Sequence, residues 1–394
     1  MPDDLAPMLR ALALAVRGQG QVSPNPLVGC VIVNDAGETL GEGWHGRFGG
    51  PHAEVEAVRD AEARYGSDAV RGATVYVTLE PCSHHGKTPP CADLLVEKGV
   101  ARAIVGTADP NPVVAGRGLA RLRAAGIEAT VTDDPLASRL IEGFRMRVTT
   151  SRPFVTLKVA QTLDGFAATA TGDSRWVTGE AARQHVHRVR AASDAVLVGS
   201  GTALADDPAL TLRHGVEGVQ PLRVVLDRKA ALPASLRLFS DEHAGRTVAV
   251  VGESALEPSY AGRVSTMRVP EANGHLDLQA VLERLASGDG LPGGRGVNTV
   301  FVEAGPGLAA AFWSAGLVDR LMVYVAPKLL GDGLRALPVA PAASMGEAHT
   351  FPAWTRHLLG EDVLFVGDRT PIPAPLQALM PLVLPDALPD IQPR

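Results

Sequence analysis

His52, Glu54, Cys82 and Cys91 are the residues whose types and spacing promise chemistry. One imidazole and two thiols can give a zinc ion three ligands, and a catalytic zinc keeps its fourth position for water. The two cysteines bound PCSHHGKTPPC with eight residues between them, a wider gap than the usual paired zinc cysteines. Both have proline neighbours and are expected at or just before a helix start, where backbone amides favour thiolate over thiol. Glu54 follows His52 by two positions on an expected helix, so its side chain diverges from the imidazole. It is therefore read as standing beside the open metal position, where a carboxylate can take a proton and return it. His84 and His85, in the Gly/Pro-rich loop, are read as exposed rather than ligating.

The order H-A-E, then a strand ending in TLEPC, then a second cysteine opening a helix follows the zinc-deaminase signature H-x-E…P-C-x-x-C, apart from the longer gap. Zinc lowers the pKa of its water towards neutrality, and the predicted chemistry is hydrolytic removal of an amino group from an amidine-like ring carbon. Glu54 is the predicted proton shuttle to departing ammonia.

The elements that must position these residues alternate between helix and strand. LALAVRG reads as a helix, VGCVIV and ETLGEGWH as a hairpin about NDAG, and HAEVEAVRDAEARYG as a helix with Ala53, Ala57, Val58 and Ala61 along one side. ATVYVTL, RAIVGTAD and IEATVT read as strands, and CADLLVEKG and GLARLRAAG as helices closed by Gly99 and Gly126. DPLASRLIEGFRMRVTT is expected as one helix, with a boundary near residue 150. The second half restarts with PFVTLKVAQ and adds strands at DAVLVG, LRVVLD, RTVAVVG, VNTVFVEA and RLMVYVAP. Helices are expected at EAARQHVHRVRA, LDLQAVLERLAS and GLAAAFWSAG. Both halves are α/β, with helices packed on a sheet. From about Thr370 prolines recur too often for a helix or central strand, and a disordered tail outside catalysis is expected.

At 394 residues the chain is long for one core, and two domains are expected. A net charge of −6 gives no basic field for nucleic acid or an anionic membrane, so neither is an expected partner. Three cysteines do not make a disulfide framework, and Cys30, in an apolar run, reads as inert core. The acidic start has no basic n-region and is not expected to be a signal peptide; the expected location is the cytoplasm.

SPNPLVGCVIV, GWHGRFGGPHAEVEAV, YVTLEPCSHHGKTPPC and DPNPVVAGRGL resemble the deaminase half of the bifunctional riboflavin-biosynthesis deaminase–reductases, a family whose cysteine pair has the same wide spacing. LKVAQTLDG, TGDSRWVTGEAARQHVHRVRA, GTALADDPALTLR, VFVEAGPGLAAAF and VAPKLLG resemble its reductase half. The resemblance spans roughly residues 8 to 367. It implies a cytidine-deaminase-like α/β/α sandwich over 1–149 and a dihydrofolate-reductase-like α/β domain over 150–369, with 370–394 as the tail. One Zn2+ per chain would be held by His52, Cys82 and Cys91, with NADPH as the second cofactor. The implied substrate is a phosphoribosylaminopyrimidine, losing its 2-amino group in the first half and having its ribosyl arm reduced to ribityl in the second. A homo-oligomer, dimer or tetramer, is also implied.

The resemblance places Ala160, Trp176, Thr202, Asp206 and Gly305, Pro306, Gly307 and Leu308 along the cofactor. It places Ser174, Arg190, Leu210, Arg213 and Glu303 along the substrate. Arg190 and Arg213 suit a dianionic phosphate. Arg228 follows LRVVLD, where the resemblance implies a cofactor contact, and there it would receive a cofactor 2′-phosphate. Lys158 lies mid-strand among apolar neighbours, where a lysine needs a job or a route to water; the reading is donation to the sugar oxygen or protonation of the reacting centre. Asn25, in SPNP, is a candidate pyrimidine contact, and Lys87 a candidate contact to the ribose-phosphate arm. Where the family commonly has arginine after LDG, this chain has Phe166. Two alternatives stand beside this reading: a single-activity zinc deaminase with a non-catalytic second domain, and a zinc-stabilised nucleotide-binding regulatory module.

Overall fold

In a computed structural model, residues 5–84, 89–112 and 114–369 are described. Lys87, His85 and the segment from Thr370 onward lie outside them. The described residues fall into two compact units, divided between Thr150 and Ser151.

The first unit runs α1 (Leu5–Val16), β1 (Gly29–Val33), β2 (Thr39–Trp44), α2 (Ala53–Tyr65), β3 (Thr74–Leu79), α3 (Cys91–Glu97), β4 (Arg102–Thr107), α4 (Arg117–Ala124), β5 (Glu128–Val131), α5 (Pro135–Leu140) and α6 (Glu142–Thr150). Its sheet has the order β2-β1-β3-β4-β5. β1 is antiparallel to β2 and β3, whereas β3, β4 and β5 run parallel. Strand alternation divides two cores. Cys30, Ile32, Val75 and Val77 face α2, α3 and α4; Val31, Val33, Tyr76 and Ile104 face α1 and α5. The result is an α/β/α sandwich.

α2 carries His52 and Glu54 at its start, and β2 sets its height above the sheet. A methyl group at Gly41 would stand 2.2 Å from the Ala57 carbonyl oxygen, and one at Gly43 would stand 2.3 Å from that of Ala53. Only glycine at these positions lets the helix lie against the strand; forcing in a side chain costs about 1–3 kcal/mol or more.

The segment expected as one helix after Asp134 is two. Asp134 caps α5, with Pro135 at its first turn. The run breaks at Ile141 (φ −102°, ψ 13°), and α6 follows. The break lets Leu136, Ala137, Leu140 and Ile141 all enter the core, while α6 buries only Gly143.

The second unit begins β6 (Phe154–Thr162), β7 (Phe166–Ala168), α7 (Glu180–Ala192), β8 (Ala195–Gly199), α8 (Ser200–Asp206), β9 (Leu222–Leu226), α9 (Arg237–Ser240), β10 (Thr247–Gly252) and β11 (Ser265–Val269). It continues β12 (Glu271–Ala272), β13 (His275–Leu276), α10 (Leu278–Ser287), β14 (Thr299–Glu303), α11 (Pro306–Ser314), β15 (Arg320–Ala326), β16 (Leu334–Arg335), β17 (Ala353–Leu359) and β18 (Asp362–Asp368). The nine-stranded sheet has the order β11-β10-β9-β8-β14-β6-β15-β18-β17. It is parallel from β11 to β15, and β18 pairs antiparallel with both β15 and β17. The parallel strands are nearly continuous buried runs, as expected for strands covered on both faces.

Candidate active sites

The first site forms where β3 ends and two helices begin. His52 is the N-cap of α2 (φ −77°, ψ 163°), not a helical residue as the sequence suggested. The extended backbone turns its ring towards Cys82 and Cys91 while Glu54, one residue into the helix, enters the interior. Cys91 is the first residue of α3, and its amide donates to Cys82 Sγ at 3.2 Å. So the helix start serves Cys82 too, although that residue lies in the loop.

His52 Nδ1 lies 3.6 Å from Cys82 Sγ and 3.3 Å from Cys91 Sγ, and the three donor atoms all lie within 4.8 Å of one another. A tetrahedral zinc with bonds of 2.0–2.3 Å sets its nitrogen and sulfur ligands about 3.5 Å apart, so the cluster fits that ion. The thiols make the same point. Cys82 is lowered to about 4, first by the Cys91 thiol's hydrogen bond and then by His52, while Cys91 is pushed well up by its neighbour and by burial. Two thiolates this close need a cation between them. Glu54 is 3% exposed, and both cysteines act on its carboxylate. Burial raises its pKa first, and the charge of Cys82 adds to that.

Two neighbours escaped the sequence reading. His45 is buried, its Nδ1–H donates to the Pro51 carbonyl at 2.8 Å, and its Nε2 then accepts from Asn25 Nδ2 at 3.1 Å. Asn25 therefore has its amide turned by His45. Glu80, also buried, accepts four backbone N–H groups, from Asp109, Gly116, Gly118 and Leu119, and so ties the strand that leads to Cys82 to the start of α4.

The second site is a cleft of about 2180 Å³ within the second unit. It opens at the carboxyl ends of β6, β8, β9 and β14, where open parallel sheets place their ligands. Lys158, Ala160, Ser174, Trp176, Arg190, Thr202, Asp206, Leu210, Arg213, Arg228, Glu303 and the turn Gly305–Leu308 all line it. These positions span 150 residues of chain and are brought together by the sheet. Gly305 is the N-cap of α11, whose first turn no side chain caps. Its missing Cβ would lie 3.2 Å from Thr202 Oγ1, so the amides of this helix start stay open to a cofactor phosphate.

Lys158 and Glu303 are direct neighbours on β6 and β14. Burial lowers the Lys158 pKa, with Glu303 pulling the other way. Burial acts to raise Glu303, but Arg190 brings it below the ordinary range. Arg190 cradles Glu303: its Nε and Nη2 donate to the two carboxylate oxygens and its Nη1 to the Thr211 carbonyl. Its fork is thus already filled, and Arg213, which has no ion pair among the described residues, is the better placed guanidinium for an anion. Arg228 pairs with Glu271 at 2.9 Å. Asp206 faces Arg175 at 3.6 Å. Trp176 is 65% exposed, with Arg183 over its ring at 4.9 Å. Phe166, in place of the family's arginine, lies opposite Arg335 on β16, whose guanidinium sits 5.4 Å from the ring.

The comparisons with known proteins divide the chain at the same two sites. Residues 1–107 match the cytidine and deoxycytidylate deaminase zinc-binding region, and residues 153–344 match the RibD C-terminal domain. The riboflavin biosynthesis protein RibD of Escherichia coli K12 is 44% identical over 373 residues, covering 90% of this chain and 96% of that protein. A solved structure of Acinetobacter baumannii RibD superposes with a TM-score of 0.82 at 38% identity, covering 94% of this chain and 99% of that one. A diaminohydroxyphosphoribosylaminopyrimidine deaminase/5-amino-6-(5-phosphoribosylamino)uracil reductase from Thermotoga maritima gives 0.80 at 36% identity, over 93% and 99%. With both halves matched along nine-tenths of its length, the chain belongs to the RibD family, the bifunctional deaminase–reductases of riboflavin biosynthesis that work with Zn2+ and NADPH.

Proposed function

We propose that residues 1–149 hydrolytically deaminate 2,5-diamino-6-(5-phosphoribosylamino)pyrimidin-4(3H)-one and that residues 150–369 then reduce its ribosyl arm to ribityl with NADPH. The observation that carries this reading is a three-donor cluster beside a buried carboxylate in one unit, and a cleft lined by fifteen expected reductase residues in the other.

His52, Cys82 and Cys91 hold Zn2+, which when bound supplies an acidified water. Glu54, buried and beside Cys91, takes a proton at its carboxylate and delivers it to the leaving ammonia. Asn25, oriented by His45, contacts the pyrimidine edge, and Lys87 the phosphate arm. In the second unit, Ala160, Trp176, Thr202, Asp206, Arg228 and the Gly305–Leu308 turn bind the cofactor. Ser174, Arg190, Leu210, Arg213 and Glu303 line the substrate. Lys158 donates a proton to the reacting sugar; Glu303 beside it supports the charged form.

The test is a coupled assay on the phosphorylated diaminopyrimidinone, with ammonia release and NADPH oxidation followed separately. Both signals, one after the other, are expected. Ammonia without NADPH oxidation would leave a single-activity deaminase, and neither signal a binding module.

Two thiolate ligands need a reducing compartment, which supports the cytoplasm. No described helix is long and apolar enough to cross a membrane. A homo-oligomer is supported by the edge strand β17, which exposes Trp354 and Leu358 on the same side. Sedimentation of the wild-type chain against Leu358→Lys tests it.

A further inference from the structure

We infer that His187 is a substrate-specificity residue of the reductase cleft, holding the Arg213 backbone with Nδ1 and donating Nε2–H to a phosphate monoester. The inference rests on the reading of Arg213 as a substrate-side residue.

The geometry starts on α7. His187 and Arg190 are three residues apart, so they share a helix face. Across from them runs the segment 211–213. Arg190 Nη1 donates to the Thr211 carbonyl at 3.0 Å, and the Arg213 amide donates to His187 Nδ1, also at 3.0 Å. Two side chains on one helix thus staple two backbone groups of one segment. This anchors the guanidinium of Arg213 at the cleft that both residues line.

The same contact fixes the ring's chemistry. An Nδ1 that accepts from an amide carries no proton, so the neutral ring holds its hydrogen on Nε2. His187 is 4% exposed, and Nε2 has no hydrogen-bond partner among the described residues. Nε2 is not one of the sealed side-chain atoms that lack a partner, so its N–H opens to the cleft that His187 lines, where a ligand oxygen can accept from it. Burial and the guanidiniums of Arg190 and Arg213 keep the ring neutral, with its pKa at about 4; His214 adds to this, and Glu303 acts the other way. Near neutral pH the ring is therefore a fixed donor beside an unpaired arginine, an arrangement that recognises a phosphate by position as well as charge.

The experiment measures reductase kinetics of the full chain on the deaminated, phosphorylated substrate. His187→Leu is expected to raise the substrate KM about ten- to a hundredfold, the range for losing a charge-assisted hydrogen bond, with the KM for NADPH unchanged. His187→Gln should restore KM to within about threefold of wild type, because its amide oxygen can accept from Arg213 and its nitrogen can donate. An unchanged KM in His187→Leu, with KM raised in Arg213→Ala, overturns the role of His187 alone. An unchanged KM in both overturns the placement of Arg213 and this inference with it. Equal damage from Leu and Gln overturns it too, since the ring would then only pack. A second measurement needs no mutant beyond one for signal assignment. In protein with 15N-labelled histidines, the His187 signal should show the neutral Nε2–H tautomer from pH 6 to 8 and should shift on titration with inorganic phosphate. A charged ring, the other tautomer, or a signal insensitive to phosphate overturns the proposal.

Discussion

The two sites solve different problems of assembly. In the first unit the three donors, His52, Cys82 and Cys91, converge within 4.8 Å of one another at the starts of two helices. In the second unit the lining comes from strand ends, helices and loops spread between residues 158 and 334 and encloses about 2180 Å³. An ion needs a few atoms at bonding distance, whereas a dinucleotide and a sugar phosphate need a long surface of many weak contacts. Losing one group should therefore be steep in the first site and graded in the second.

The steepest expected loss is Glu54→Gln. It keeps the volume and removes the proton carrier, so ammonia release should fall about 10²–10⁴-fold. Zinc content, measured by elemental analysis, should not change, and NADPH oxidation on pre-deaminated substrate should persist. Retained ammonia release would remove Glu54 from the mechanism.

Lys158→Met comes next, with an expected loss of about 10²-fold in reductase kcat. The pH profile carries the sharper information. Burial lowers the Lys158 pKa from the ordinary 10.5, and a proton donor works only while protonated. The reductase rate should therefore fall as pH rises through that lowered pKa, earlier than an ordinary lysine would allow. Lys158→Met should abolish this alkaline limb while leaving the deaminase profile untouched. A limb that survives in the mutant belongs to another group.

The same contrast decided what could be read from the chain. The metal ligands were legible because they lie close in sequence, in a fixed order, between a recognisable strand and helix. The cleft residues have no local motif; only family resemblance gathered them, because the sheet does the gathering. His187 looked like any residue of an amphipathic helix, and Glu80 like part of TLEPC. Arg223 is 1% exposed and donates to Thr247, Asp241 and the carbonyls of Ala209 and Leu238, all of which are distant in sequence. The kink at Ile141 carries neither glycine nor proline to announce it. Two further features do carry a local signal in the sequence. Gly41 and Gly43, alternating in a strand, mark a helix lying close above it. The runs about Gly360-Glu361 are a hairpin, β17 to β18, with Gly360 at φ +67°.

The cofactor end of the cleft should respond more mildly. Arg228 is expected to meet the 2′-phosphate that distinguishes NADPH from NADH. Arg228→Ala should cut the ratio of kcat/KM for the two cofactors about tenfold, the low end for one charge-assisted contact. An unchanged ratio would place the 2′-phosphate elsewhere.

The smallest effect concerns the partner of Arg228. Glu271 already occupies its guanidinium at 2.9 Å, held also by Ser254 Oγ at 3.2 Å. A cofactor phosphate must share or displace that carboxylate, whose negative charge opposes its approach. Glu271→Gln removes the charge and keeps the shape, so NADPH should bind about two- to threefold more tightly at low salt, while NADH, which lacks the 2′-phosphate, should not respond. The pair is exposed, and a gain that comes from one solvent-facing charge should fade as ionic strength shortens the Debye length towards about 3 Å at 1 M. A gain that survives high salt, or that appears equally with NADH, would mean that Glu271 acts by packing the β12–β13 hairpin and not by competing for Arg228.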